Sequence, residues 1–129
     1  MAKTVQDVMM PEPWTIDAHT SLEATAHLMR AWDVREALVT DEGELCGVLT
    51  DSDIIVLAIA SGQAPSKLTA GECCNPNVHR LTADDEVRDA FDYMHRHELR
   101  HIPVVDGDQL VGTAWIPDLA HALATPSSF

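Results

Sequence analysis

The chain repeats itself. At a constant offset and without a gap, Thr4 falls on Thr69, Pro11 on Pro76, Ala18 on Ala83 and Met29 on Met94. The match continues through Arg35 and Arg100, Val39 and Val104, Asp41 and Asp106, Leu45 and Leu110, Gly47 and Gly112, and Asp53 and Asp118. Apolar character is kept at Ile16 and Leu81, Leu22 and Val87, and Val34 and Leu99. Two copies of one supersecondary unit therefore fill the 129 residues, which suffice for one compact domain or two small units. The boundaries read as repeat 1 over 4–62, a linker over 63–68 with Pro65, repeat 2 over 69–124 and a tail over 125–129.

Each copy reads as β-α-β-β-α, so the fold class is α+β built from tandem repeats. Thr4 to Met9 is a helical turn stopped before Pro11, and Trp14 to Ile16 is a strand. Thr20-Ser21-Leu22-Glu23 is a capping box opening a helix to Trp32, with Leu22, Ala26 and Met29 beside Thr25 and Leu28 at helical spacing. Ala37 to Thr40 and Leu45 to Leu49 make a hairpin around Gly43. Repeat 2 replays this order with a helical turn at Thr69 to Cys73 and a strand at Val78 to Leu81. A helix follows at Asp85 to His97, with Val87, Ala90, Phe91 and Met94 inward. Strands at His101 to Val105 and Gln109 to Trp115 precede a last helix from Pro117 to Ala124.

The most informative stretch is Gly47-Val48-Leu49-Thr50-Asp51-Ser52-Asp53, running into the apolar segment Ile54 to Ala60 and closed by Ser61-Gly62. A strand here delivers its last residue onto a helix N-terminus, where unpaired N–H groups and the helix dipole suit an anion or a sugar-phosphate. Thr50 and Asp53, three apart, can face one small volume and hold the hydroxyls of a ribose. The same Thr-x-x-Asp spacing is also a capping box, and local sequence leaves both readings open.

Composition excludes several classes. The longest apolar run, Ile54 to Ala60, is far short of the roughly 20 residues a membrane-spanning helix needs. Twenty-one acids against eight Lys and Arg give a net charge of −13, which argues against nucleic acid and anionic membrane as partners. Met1 to Met10 lacks the basic start and apolar stretch of a secretion signal, so a cytoplasmic location is expected. Cys46, Cys73 and Cys74 are too few and too unevenly spaced for a disulfide framework. No nucleophile stands with a base and an orienting group at a known spacing, so a non-enzymatic role is expected.

The repeated Gly-x-x-Thr-x-x-Asp element, its remnant Gly112 to Asp118, and the strand entry Arg100-His101-Ile102-Pro103-Val104-Val105 resemble a pair of cystathionine-β-synthase (CBS) domains. Among them the chain is similar to the stand-alone bacterial kind that includes the actinobacterial hypoxic response proteins. The resemblance implies a pseudo-twofold pair with clefts between the repeats that take adenosine-containing ligands such as AMP, ADP, ATP or S-adenosylmethionine. It implies a homodimer of such pairs acting on an unidentified protein partner, with the nucleotide a regulatory ligand and no cofactor. Carried onto this chain, Gly47, Thr50 and Asp53 would meet the ribose and phosphate. Trp14, Thr15, Ile16, Ala37 and Leu38 would sandwich the base, and Arg35, Arg100 and His101 would meet phosphates.

In the second copy Trp115 stands where Thr50 stands in the first, Pro117 follows, and of the pair only Asp118 remains. That site is expected to be filled or altered, with Trp115 either core or a stacking surface. His95-Arg96-His97 reads as a solvated face, since residues two apart on a helix point to different sides. Cys73-Cys74 with His79 is a weak thiolate pattern, readable as a redox-sensitive pair or as packing, and no metal is expected. Arg35 and Arg100 can pair with neighbouring acids such as Glu36 and Glu98. The leading expectation is a regulatory module sensing an adenosine-containing ligand. The alternative is a ligand-free dimeric scaffold with degenerate clefts.

Overall fold

The structure, a computed structural model, describes residues 3–124; the expected tail over 125–129 lies outside the described residues. The elements are α1 (Val5–Val8), β1 (Met10–Pro11), β2 (Thr15–Asp17), α2 (Leu22–Trp32), β3 (Glu36–Asp41), β4 (Glu44–Thr50) and α3 (Asp51–Ser61), then a 3₁₀ turn (Pro65–Lys67). They continue with α4 (Ala70–Cys73), β5 (Leu81–Thr82), α5 (Val87–Arg96), β6 (His101–Asp106), β7 (Gln109–Trp115) and α6 (Ile116–Ala124). The α+β tandem stands, with shifts at element ends.

Local chemistry explains most of these boundaries. Ser21, not Thr20, caps α2, its Oγ accepting from Ala24 N at 3.0 Å. The inward stripe of α2 is Leu22, Thr25 and Met29, whereas Ala26 and Leu28 face outward. Thr25 is fully buried because its hydroxyl donates to Ser21 O at 2.8 Å, which meets its polar requirement inside the fold. Glu42 and Gly43 both take positive φ in the two-residue turn between β3 and β4, as a tight hairpin requires. Gly62 closes α3 in the left-handed conformation. The strand expected at Val78 to Leu81 instead covers Leu81–Thr82, where pairing with β6 begins.

Two compact units form, and they do not follow the repeat boundaries: one is residues 14–78, and the other joins the described residues before 14 to those from 79 on. In the first, β2 runs parallel to β3 and β3 antiparallel to β4, over a core of Ile16, Leu22, Met29, Val39, Leu49 and Ala70. In the second, β5 is parallel to β6, β6 antiparallel to β7, and β1 adds antiparallel to β7. Its core includes Val5, Val87, Met94, Ile102, Val104 and Leu119. Both hairpins carry a bulge at the matching place, between Val39 and Thr40 and between Val104 and Val105.

The offset between units and repeats arises because the segment leading into each copy docks on the other copy. Val5 N donates to Asp85 O at 2.8 Å, Gln6 N to Ala83 O at 2.9 Å and Val87 N to Lys3 O at 3.0 Å. The counterparts are Ala70 N to Thr20 O, Gly71 N to Ala18 O and Leu22 N to Leu68 O, each at 2.8 Å. Further along, β1 lies across Gly112, and Asn75 exchanges backbone hydrogen bonds with Val48 beside Gly47. A Cβ on Gly112 would stand 2.6 Å from Met10 O and 2.8 Å from Met9 Sδ. One on Gly47 would strike Asn75 O and stand 2.9 Å from Cys74 Sγ.

The matched glycines are thus the places where one backbone passes over another. Gly47→Ala and Gly112→Ala are each expected to destabilise by about 1–3 kcal/mol, as overpacking does. That lowers the melting temperature by about 5 °C or more. Calorimetry of both variants checks this, and a glycine whose replacement left the melting point unchanged would not be a point of close approach.

Candidate ligand site

At the end of β4, Thr50 leaves the sheet with extended backbone angles and becomes the N-cap of α3. Its Oγ1 accepts from Asp53 N at 3.1 Å, and Asp53 Oδ2 accepts in return from Thr50 N at 3.3 Å. The capping box is therefore formed. It uses one oxygen of each side chain and leaves the Thr50 O–H and Asp53 Oδ1 able to bond outward. Both residues are half-buried, so that remaining capacity is accessible.

The first turn of α3 is not an open anion site. Asp51 N donates to Arg35 O at 2.9 Å and Ser52 N to Asp51 Oδ1 at 2.8 Å, in addition to the Thr50–Asp53 exchange. Arg35 Nη1 pairs with Asp51 Oδ2 at 3.4 Å, both side chains largely exposed. Asp51 was not singled out by sequence; the pairing joins residues on either side of the hairpin, a contact no local pattern reveals.

The residues expected to sandwich a base divide by strand parity. Thr15 lies opposite Leu38 in the β2–β3 register, Leu38 opposite Val48 in β3–β4, and all three are half-buried on one face. Ile16 and Ala37 point the other way, into the core, where they are 1% and 6% exposed. Their side chains are taken up by packing. Gly47 is likewise occupied, since Asn75 and Cys74 fill the space above its Cα. Trp14 is 65% exposed and tilts against Trp32 with ring centroids 5.0 Å apart.

In the second copy His101 lies directly opposite Trp115 in the β6–β7 register, and their rings stand 5.3 Å apart. Trp115 is 41% exposed, so it is not a core residue. Ile116 N donates to Arg100 O at 2.8 Å, repeating the Asp51–Arg35 backbone contact, but an isoleucine replaces the carboxylate that holds Arg35. Asp118 is exposed in the first turn of α6. Thr50, Asp53, Arg35, Thr15 and Leu38 thus belong to the unit of residues 14–78, and Arg100, His101 and Asp118 to the other.

His95, Arg96 and His97 are exposed as expected, yet two of the rings are packed: His95 stacks on Phe91, and His97 lies tilted against Tyr93 and His79. His79 Nδ1 is hydrogen-bonded to the Tyr93 hydroxyl. The three thiols are free and half-buried against the core of residues 14–78. Burial pushes all three up, aided by Asp41 at Cys46, Glu72 at Cys73 and Cys46 at Cys74. A redox sensor needs an easily formed thiolate, so this environment runs against the redox expectation. Among the described residues, no three His, Cys, Asp or Glu side chains converge as metal ligands, and no helix is long and apolar enough to cross a membrane.

A family model described as "CBS domain" matches residues 5–59 and 70–114. The chain is 31% identical over 121 residues to Hypoxic response protein 1 of Mycobacterium tuberculosis, covering 93% of this chain and 85% of that protein. It superposes on a crystal structure of Hypoxic Response Protein I with two coordinated zinc ions at TM-score 0.78 and 29% identity, over 92% and 98% of the two chains. A crystal structure of CBSX2 in complex with AMP gives TM-score 0.74 at 23% identity, over 94% and 96%.

The shielded thiols provide a check of this local environment. At pH 7 the folded protein is expected to react with iodoacetamide more slowly than the same chain in urea, and its rate should keep rising with pH beyond the ordinary thiol range. Equal rates folded and unfolded would mean the thiols are not held back.

Proposed function

Because this chain belongs to the CBS domain family, we propose that it is a regulatory binding module, cytoplasmic and non-catalytic, that senses an adenosine-containing ligand through Thr50 and Asp53. The observation that carries this reading is the half-spent cap: a hydroxyl donor and a carboxylate oxygen remain side by side at the mouth of α3. Adjacent ribose hydroxyls can accept from the first and donate to the second. Thr15, Leu38 and Val48 offer an apolar face on the strands leading there, and Trp14 with Trp32 adds an exposed aromatic pair. The AMP complex of CBSX2, a relative in fold, is consistent with this ligand class.

The module acts as a homodimer through α3. That helix has no fully buried residue, and Ile55, Val56 and Ile59 are 60%, 61% and 77% exposed. A contiguous apolar surface of this kind marks an interface. In a chain of charge −13 the run Ile54 to Ala60 carries no charge, so a second copy approaches there with the least repulsion. Ligand then shifts the dimer between states only by its differential affinity for them.

The same exposed face favours a second reading, a ligand-free scaffold. A thermal-shift panel separates the two, since a ligand bound to the native state raises its melting point. Adenosine, AMP, ATP, NAD or S-adenosylmethionine should raise it, and no shift with any would favour the scaffold. For a ligand that does bind, Asp53→Ala is expected to weaken affinity about tenfold or more, since charge-assisted hydrogen bonds are worth roughly 1.5–3 kcal/mol. Ile59→Asp should halve the mass seen by light scattering; an unchanged mass would remove α3 from the interface.

A further inference from the structure

We infer that His79 and His97 form a surface site for a divalent late transition-metal ion, with Tyr93 as the residue that positions the first of them. The two histidines come from separate segments. His79 precedes β5, and His97 closes the last turn of α5, its N–H donating to Tyr93 O at 3.1 Å. Tyr93 and His97 are four apart, so their side chains share one face of the helix. His79 meets that face, and the three rings make a closed triangle with centroids 4.5, 4.8 and 5.5 Å apart. All three residues belong to one compact unit.

The spacing of the imidazoles is that of two ligands on one ion. A metal–nitrogen bond of about 2.0–2.1 Å sets each imidazole centre about 3.2 Å from the metal, so ligands about 90–110° apart have centres about 4.5–5.2 Å apart. His79 and His97 stand at 4.8 Å, inclined by 36° and not stacked face to face. His79 also has the outer contact that a ligating histidine uses. Its Nδ1 is hydrogen-bonded to the Tyr93 hydroxyl, which holds the ring and leaves Nε2 as the nitrogen for a metal. With Nε2 coordinated, Nδ1 carries the proton and donates to the Tyr93 oxygen. Both histidines are exposed, so an ion reaches them without disturbing the core, and the net charge of −13 draws cations to the surface. Among the described residues no third His, Cys, Asp or Glu completes the group, so water fills the remaining positions. His95, on the same helix, differs: its ring lies parallel to Phe91.

Titration calorimetry of the whole chain with Cu(II), Ni(II), Zn(II) and Mg(II) tests this. One Cu(II) per chain is expected, held more tightly than Ni(II) or Zn(II) in the order that nitrogen ligands impose. Mg(II), which takes oxygen ligands, should not displace it. Tyr93→Phe should weaken Cu(II) binding about tenfold, the low end of what losing an outer-shell partner costs, and His79→Ala or His97→Ala should weaken it further. His95→Ala should leave it unchanged. In NMR spectra, substoichiometric Cu(II) should broaden the ring signals of His79 and His97 before those of any other histidine. Displacement by Mg(II), or an affinity that survives both His79→Ala and His97→Ala, would assign the ion to the acidic surface and overturn the inference. Absence of saturable Cu(II) binding, or broadening centred on another histidine, would overturn it equally.

Discussion

Two backbone crossings, one inside each compact unit, underlie the rest of the fold. At each, a leading segment lies so close across a strand that the residue beneath it cannot carry a side chain: Met9 and Met10 over Gly112, Cys74 and Asn75 over Gly47. Around these crossings the paired N–H to C=O bonds recur at equivalent positions in both copies, from Val5 and Gln6 in one to Ala70 and Gly71 in the other. The crossings explain why the compact units cut across the repeats. They also give the glycine of the Gly-x-x-Thr-x-x-Asp element a structural reason to exist, separate from any ligand.

That reason changes how the rest of the element is understood. Gly47 secures the strand on which Thr50 sits, and Thr50 then opens α3 with a cap that also leaves bonding capacity unspent. Capping and recognition are therefore not rival roles for Thr50 and Asp53. The cap fixes both side chains in one geometry, so a ligand meeting them would find the ordering cost already met. In the second copy the same strand end carries Trp115 paired with His101, and the identical framework presents an aromatic surface instead of a hydroxyl and a carboxylate.

Much of this was legible in the sequence because it is local. The helix ends at Thr50 and Gly62 and the hairpin at Gly43 depend on residues within a few positions of one another, and the offset repeat is read directly by comparing the chain with itself. Failures came where one residue of phase or a distant partner decides. Ile16 and Ala37 were placed beside a base, but strand alternation turns them into the core and leaves Thr15 and Leu38 outside. Arg35 has its acid across the hairpin at Asp51, beyond the reach of nearest-neighbour reasoning. The docking of each leading segment on the opposite copy was invisible to self-comparison, which aligns every segment with the repeat it precedes.

A consequence of that exchange concerns how such a chain can be divided. Neither copy carries the arm that completes its own sheet, so a fragment holding one repeat would expose a bare strand edge and detach an arm with nowhere to dock. Its one complementary companion would be a twin fragment offering the reciprocal arm. Joining the two in a single polypeptide replaces a concentration-dependent meeting of twins with a tethered one.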